Sequence, residues 1–404
     1  MTITSSTAAN KHAAQRRRLI KRDSCNVTSC VAIMQSLQKD LRLGSDIIST
    51  TMSTNKTCLC LLFIATFTVV THAQTSRAAK VDFAFERSVP DWMRETNVPA
   101  VGIGIIENGR LGYVKVFGEL KKGVPAPANT IFQVASLTKP IVEVLTLQLV
   151  SRGEWKLDEP LANYWVDPDV QNDPRHKQLT TRHVLTHRSG FENWRSMSAS
   201  KKLEFLADPG TKVNYSGEGL EYLRRALEKK FNQPLDQLAK KRLFQPYGMN
   251  DTRFFWDASM DESRFAVAHS DKGKPYDVHK HTTANAADLL LTTIQDYGKF
   301  AVNVLKGKGL SKAVFEDMTR PQVANPTGKN LFFGLGWMIM PQLSNGEYAL
   351  IHTGSDEGVK TVVVLFPQSQ RGLIVFTNGE NGTQVWTRIL AQAFDVGKEM
   401  LGRG

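Results

Sequence analysis

The sequence predicts an α/β fold of the α+β type, with an antiparallel sheet flanked by N- and C-terminal helices and a large all-helical lobe. Three observations predict it. The apolar runs 100–106 and 111–117 are separated by Asn108-Gly109, a pair typical of a β-hairpin turn. Residues 136–320 are helical in character, and short β-rich segments follow after residue 330. The early and late strands most simply share one sheet, which leaves the helical middle as a second lobe.

The first elements follow in chain order. Residues 80–96 predict an opening helix, and the hairpin comes next. An apolar helix over 141–150 ends before Gly153, because glycine commonly follows the last helical residue. Further helices are predicted in three segments: 218–231, 234–244 and 288–305.

The end of the chain returns to strands. Four short segments are rich in β-formers and separated by turn residues: 331–340, 348–352, 359–366 and 372–377. A last helix is predicted over about 384–400. The order of elements is therefore helix, hairpin, many helices, antiparallel strands and helix.

Composition limits the possible functions. The 404 residues are 41% hydrophobic and 22% charged, an ordinary globular balance that allows a large core. The formal charge is +12, but about half of the excess lies before residue 74, and no basic stripe with interleaved aromatic residues appears. We therefore predict no nucleic-acid partner. All 4 cysteines precede residue 61, so the rest of the chain has no disulfide framework and no thiolate metal site.

The N-terminal region is predicted to carry a signal peptide. Residues 58–70 (CLCLLFIATFTVV) have the length of a signal-peptide core rather than a membrane span. Lys56 supplies the positive flank, and Ala73 is a small residue suited to cleavage. We assign residues 52–73 to the signal peptide, so that the mature protein is exported to the periplasm or secreted and has no stable membrane span.

Residues 1–51 are predicted to be a disordered or spurious extension, because they are polar, basic and without a clear period. Two alternatives stay open for this region. The basic stretch 15–22 is also compatible with an organelle transit peptide, and the apolar run could remain uncleaved as a membrane anchor.

A Ser-x-x-Lys spacing is the strongest chemical signal. Ser136 and Lys139 would lie on one face of a helix, where an amine can serve a hydroxyl nucleophile. The same spacing occurs at three other places, beginning at Ser36, Ser53 and Ser198. The first two precede the mature domain, and the third lies in a polar, surface-like stretch. Ser136 follows an apolar segment, and Pro140 fits only the first turn of a helix, so this copy begins a buried helix.

Further motifs accompany Ser136 in a fixed order. They are Phe132–Lys139 (FQVASLTK), Leu185–Phe191 (LTHRSGF), Tyr215-Ser216-Gly217, Phe333–Trp337 (FGLGW) and His352–Ser355 (HTGS). Together they resemble the serine β-lactamase-related superfamily, which includes class C β-lactamases, D,D-peptidases and related esterases. The likeness spans about residues 80–400. It implies a β-lactamase/transpeptidase-like domain over residues 74–404, with its helical lobe at about 136–320.

The resemblance implies a set of catalytic roles. Ser136 would be the acylated nucleophile, Lys139 would hold or relay its proton, and Tyr215 would act with Lys139 as general base. Backbone N–H groups of Ser136 and Ser355 would form the oxyanion hole. Water would complete deacylation, and the scheme needs no metal or other cofactor.

Substrate-binding roles follow from the same resemblance for His352, Thr353, Gly354, Ser355 and Gly217. Trp337, beside Gly336, could line the substrate pocket. Gly217 stands where many members have Asn, and His352 stands where β-lactamases have Lys, so two groups that hold an anionic acylamino substrate are absent.

These departures favour an esterase or acyl hydrolase of small esters or amides. The alternatives are a β-lactamase or D-alanyl-D-alanine carboxypeptidase that acts on a peptide-like substrate and, from another class, a non-catalytic binding module.

A zinc site is disfavoured. His183 and His187 have the i,i+4 spacing of a zinc-protease helix, but Val184 stands where that motif has Glu. The segment is instead predicted to be a packed loop held by histidine hydrogen bonds.

Overall fold

The computed structural model describes residues 83–403. The fold is built on a nine-stranded antiparallel sheet. Its strand order is β3-β2-β1-β11-β10-β9-β8-β7-β6. The strands are β1 Ala100–Glu107, β2 Arg110–Lys121, β3 Val124–Pro125, β6 Val323–Ala324, β7 Phe332–Phe333, β8 Met338–Met340, β9 Ala349–Asp356, β10 Val359–Phe366 and β11 Arg371–Thr377. A separate pair joins β4 (Phe132–Gln133) to β5 (Leu291–Thr292).

The helices lie before, between and after the strands. They are α1 Val89–Thr96, α2 Thr138–Ser151, α3 Thr181–Leu185, α4 Gly217–Phe231, α5 Leu235–Ala239, α6 Gln245–Tyr247, α7 Ile294–Leu305, α8 Lys312–Thr319, α9 Gly382–Ala393 and α10 Gly397–Leu401. A π-helical turn at Lys240–Phe244 joins α5 to α6. Within residues 83–403, no helix has both the length and the apolar character that crossing a membrane would require.

Helices cover both faces of the central strands. α1 and α9 pack on one face, whereas α7 and the helical lobe pack on the other. Strands β1, β10 and β11 are consequently apolar along nearly their whole length, because neither face meets water. Gly102 and Gly104 let α7 approach closely, since a Cβ at these positions would lie 2.7 Å and 2.9 Å from the Ile294 side chain.

The predicted fold class is confirmed, and the hairpin is where it was expected. Asn108 and Gly109 adopt φ of 51° and 66° between the paired residues Glu107 and Arg110, as a type I′ turn requires. The segment predicted as one strand over 331–340 is two strands. It is interrupted at Gly334-Leu335-Gly336, where Gly336 has a φ of 88°.

The middle lobe contains the predicted helices, together with one short strand and long loops. The helix predicted over 288–305 begins only at Ile294, because β5 precedes it and pairs with β4 just before Ser136. The long stretch between α6 and β5 is mostly turns and loops. The predicted opening helix starts as a 3-10 turn at Ala84–Ser88, and the predicted last helix breaks between α9 and α10. The predicted extension 1–51 and signal peptide 52–73 lie outside the described residues and stay predictions.

Candidate active site

Ser136 lies in a 3-10 turn, Ala135–Leu137, that leads directly into α2. Three parts of the fold hold this turn. The Val134 N–H donates to the Leu290 carbonyl at 3.1 Å, and the Thr361 hydroxyl donates to the Val134 carbonyl at 2.9 Å. The Tyr297 hydroxyl donates to the Leu137 carbonyl at 3.0 Å. The nucleophile candidate is therefore positioned by tertiary contacts as well as by its own helix.

Lys139 connects the predicted catalytic residues. Its Nζ donates to Ser136 Oγ at 3.1 Å and to the Ala287 carbonyl at 2.9 Å. The same atom lies 4.8 Å from the centre of the Tyr215 ring. Only 1% of Lys139 is exposed. Residues 136, 139 and 215, which are distant in sequence, thus form one cluster.

The His187 ring packs against the Tyr215 ring. The two ring centres are 4.4 Å apart, and the Ser216 N–H donates to His187 Nδ1 at 3.3 Å. Burial, with Lys139 and His352 nearby, lowers the pKa of His187 well below its usual value. His187 is therefore a neutral packing residue at neutral pH. The sequence placed it in the LTHRSGF motif, but no local pattern indicated its contact with Tyr215.

Strand β9 brings the HTGS segment beside the Ser136 turn. A Cβ on Gly354 would lie 3.2 Å from the Ser136 nitrogen and 2.4 Å from the Val134 carbonyl oxygen, so only glycine allows this approach. Strand β8 pairs with residues 349–351 alone, and residues 352–356 face no further strand on that side within the described chain. Their free edge is suited to binding an extended substrate.

His352 is buried and uncharged at neutral pH. Its Nδ1 lies 2.9 Å from the Thr353 carbonyl. Burial, reinforced by the proximity of Lys139, lowers the pKa of His352 to about 3. The side chains of Thr353 and Ser355 alternate to the opposite face of β9 and line a separate cavity of about 430 Å³ beneath the C-terminal helices. The role predicted for Thr353 therefore cannot use a side chain directed at Ser136.

The surroundings of Gly217 and Trp337 differ most from those that their predicted substrate-binding roles require. Gly217 is the buried first residue of α4, and a Cβ there would lie 2.6 Å from the Trp194 ring. The indole of Trp194 therefore fills the space that a side chain at 217 would use. Trp337 is 0% exposed, so the prediction that it lines the pocket is wrong: its indole packs in the core.

Two acidic residues near Lys139 were missed by the sequence analysis. Glu143 follows Lys139 by four residues on α2, is fully buried, and has no hydrogen-bond partner for either carboxyl oxygen. Burial raises the pKa of Glu143 well above its ordinary value, against the opposing pull of Lys139. Burial also raises the pKa of Asp288 to about 6. The apolar helix pattern of α2 carried no signal that a carboxyl would point inward.

Gly354→Ala is expected to lower activity about 10- to 100-fold, because the new methyl group would displace the Ser136 turn from β9. The measurement is kcat/KM for a chromogenic ester. Gly112→Ala is the matched control, since a Cβ there meets nothing within 4 Å. Equal activities for the two variants would contradict the proposed contact between β9 and the Ser136 turn.

The chain is similar in sequence to several known proteins. A model of the Beta-lactamase family matches residues 85–398. Esterase EstB of Burkholderia gladioli is 30% identical over 231 residues, which cover 50% of this chain and 56% of EstB. D-alanyl-D-alanine-carboxypeptidase/endopeptidase AmpH of Escherichia coli (strain K12) is 22% identical over 306 residues, covering 67% of this chain and 77% of AmpH.

The fold is also shared with solved structures. The octameric penicillin-binding protein homologue from Pyrococcus abyssi is similar with a TM-score of 0.66 at 23% identity, over 79% of this chain and 77% of that one. The family match spans nearly all of the described residues and confirms the resemblance seen in the motifs. The chain therefore belongs to the beta-lactamase family, which is part of a serine hydrolase superfamily.

Proposed function

We propose that this protein hydrolyses small uncharged esters or amides through an acyl-enzyme on Ser136. The observation that carries the proposal is the cluster in which Lys139 Nζ lies 3.1 Å from Ser136 Oγ and 4.8 Å from the Tyr215 ring centre. A hydroxyl in hydrogen-bond contact with a buried amine is the arrangement of an activated serine nucleophile.

The proposed reaction has two steps. Ser136 Oγ attacks the substrate carbonyl carbon and forms a new C–O bond, while its proton passes to Lys139 and Tyr215. The same groups return the proton to the leaving alcohol or amine as its bond to the carbonyl carbon breaks. Water then attacks the acyl-enzyme, releases the acid and restores the Ser136 hydroxyl.

Backbone N–H groups of Ser136 and Ser355 are proposed to stabilise the oxyanion in both steps. Support comes from Gly354, whose missing side chain lets the backbone of β9 lie against the Ser136 nitrogen. In this mechanism, His352 and Gly354 contribute to the geometry of the site, and neither supplies a charge.

The neutral state of His352 supports an esterase over an enzyme for anionic substrates. With its pKa lowered to about 3, His352 offers no fixed positive charge to a carboxylate at neutral pH. EstB, an esterase by name, is among the relatives. The alternative is a β-lactamase or D-alanyl-D-alanine carboxypeptidase, and similarity to AmpH supports it.

The three candidate activities can be distinguished by testing three substrates on one preparation of the protein. Turnover of a nitrophenyl ester is compared with turnover of a chromogenic cephalosporin and with release of D-alanine from a D-Ala-D-Ala peptide. We expect the ester to be preferred. Fast cephalosporin or peptide cleavage without ester cleavage would reverse the ranking, and no covalent labelling by a fluorophosphonate would favour a non-catalytic binding module.

His352→Lys is expected to raise the preference for anionic substrates. The ratio of kcat/KM for a carboxylate-bearing ester to that for its neutral analogue should rise about tenfold, because an ammonium group attracts a carboxylate in a partly desolvated site. His352→Gln is the matched neutral control. If both variants give the wild-type ratio, position 352 does not contact the substrate.

Export remains part of the proposal. The apolar stretch 58–70 and the small Ala73 support cleavage of residues 52–73. N-terminal sequencing of the natural protein should give a start near Gln74. Retention of residues 52–73 would instead support the membrane-anchored alternative.

A further inference from the structure

The cavity of about 430 Å³ lies on the face of the sheet that α1 and α9 cover, opposite to the Ser136 turn. Strands β8, β9 and β10 form one of its walls, and α9 and α10 form the other. Most of the lining side chains belong to the apolar core between the sheet and these helices. The volume is that of a site for a small molecule.

The sheet wall of the cavity changes from apolar to polar along β9. Side chains on one face of a strand recur at every second residue, so Ile351, Thr353 and Ser355 line the cavity in turn. Ile351 pairs with Val364 of β10 at the apolar end, whereas Ser355 pairs with Lys360 at the other end. The two pairs are about 13 Å apart, at about 3.3 Å for each residue of a strand.

The helix wall changes in the same direction. Thr383, Trp386 and Leu390 follow one another at intervals of three and four residues, so they share one face of α9. Thr383 lies at the polar end, because a Cβ on the preceding Gly382 would be 3.0 Å from Lys360 Cβ. Leu390 lies about 10 Å farther along the helix. Both walls are therefore polar near Lys360 and apolar away from it.

Methionine side chains complete the apolar end. Met338 pairs with Ile351, and Met340 pairs with Ala349, which is two residues farther from the polar end. Met400 of α10 lines the same cavity. Because methionine is unbranched and has three rotatable bonds, it adapts to a flexible neighbour. This end of the cavity therefore suits an alkyl chain.

The charge at the polar end is neutralised within the protein. Among the described residues, Lys360 is the only charged one that lines the cavity. Its Nζ donates to a carboxyl oxygen of Glu380 at 2.6 Å and to the Asp356 carbonyl at 2.9 Å. An ammonium group has three N–H donors, so one is left for a ligand oxygen. A ligand carboxylate would be repelled by Glu380, whereas an uncharged hydroxyl or ester group would not.

We propose that this cavity binds an uncharged molecule that has a single alkyl chain and a hydroxyl or ester group at one end. The chain lies along β9 between Ile351 and Trp386, and its removal from water supplies the free energy of binding. The polar group lies beside Ser355 and Thr383, where it accepts a hydrogen bond from Lys360 Nζ. This binding site is distinct from Ser136 and does not depend on the proposed hydrolysis.

The test uses 1-octanol, which has an alkyl chain and a hydroxyl group and contains no ester bond that the protein could cleave. Isothermal titration calorimetry on the full chain should show one saturable site. Octanoate has the same number of carbon atoms and a carboxylate, and it should bind about tenfold more weakly or worse, because its charge would be buried beside Glu380. No saturable binding of 1-octanol, or tighter binding of octanoate, would overturn the inference.

Two variants locate the bound 1-octanol. Trp386→Ala removes an apolar wall and should raise the Kd about tenfold or more. Thr383→Phe adds a ring at an exposed position of the polar end and should raise the Kd by a similar factor, which keeps the test decisive if Trp386→Ala does not fold. Trp92→Ala is the matched control, because Trp92 is a partly buried tryptophan on the same face of the sheet that does not line the cavity. Equal Kd values in all three variants would overturn the inference.

Ser136→Ala separates this inference from the proposed function. Ser136 does not line the cavity, so the variant should bind 1-octanol with the wild-type Kd. An inactive wild-type protein that still binds 1-octanol would contradict the proposed hydrolysis alone. An active protein that does not bind 1-octanol would contradict the proposed binding site alone.

Discussion

Replacement of Ser136 with alanine is expected to lower ester hydrolysis by about 10³-fold or more, without loss of the fold. The alanine variant keeps the buried Lys139 and its hydrogen bond to the Ala287 carbonyl, but no atom remains that can form the acyl-enzyme. The measurements are kcat/KM for a nitrophenyl ester and covalent labelling by a fluorophosphonate, followed by peptide mapping. The labelled peptide should contain Ser136.

The chain provides a matched control for this prediction. Ser198 and Lys201 have the same sequence spacing, but Ser198 lies near Ser200 and accepts or donates only within its own exposed loop. Ser198→Ala should leave hydrolysis and labelling at wild-type levels. Hydrolysis or labelling that survives in Ser136→Ala, with thermal unfolding unchanged, would exclude Ser136 as the nucleophile.

Glu143→Gln is expected to stabilise the protein, and increasingly so as the pH rises. The pKa of Glu143 is raised well above its ordinary value of 4.5 by burial. Above pH 4.5 the unfolded chain therefore loses a proton that the folded protein must keep, and each pH unit costs the native state about 1.4 kcal/mol. Below that pH both states hold the proton and the cost vanishes. Glutamine has nearly the same shape and no proton to lose.

The free energy of unfolding, measured with urea at pH 5.0 and pH 7.5, checks this prediction. The gain from Glu143→Gln should be small at the lower pH and reach about 2–4 kcal/mol at the higher one. Glu316→Gln, at an exposed site on α8, is the control and should show no such trend. A variant that is less stable than wild type at pH 7.5 would indicate an ionised Glu143 paired with Lys139.

Much of the fold was predictable, because the spacing of apolar residues within a short segment indicates which of its residues are buried. The Asn108-Gly109 hairpin and the late apolar strands followed from residues adjacent in sequence. The break at Gly336 was not predictable in the same way. A Cβ at Gly336 would lie 2.4 Å from the carboxyl of Glu143, so the need for glycine there arises from a residue nearly two hundred positions away.

The sequence by itself determined the catalytic candidates Ser136, Lys139 and Tyr215 and the family, because these residues lie in short motifs whose order is preserved. Only the tertiary structure decided the environment of those residues. It buried His352 beside Lys139, moved Trp337 into the core and placed the Trp194 ring over Gly217. The physical reason is that charge and accessibility depend on neighbours from distant segments, whereas a motif records only the residues that precede and follow it.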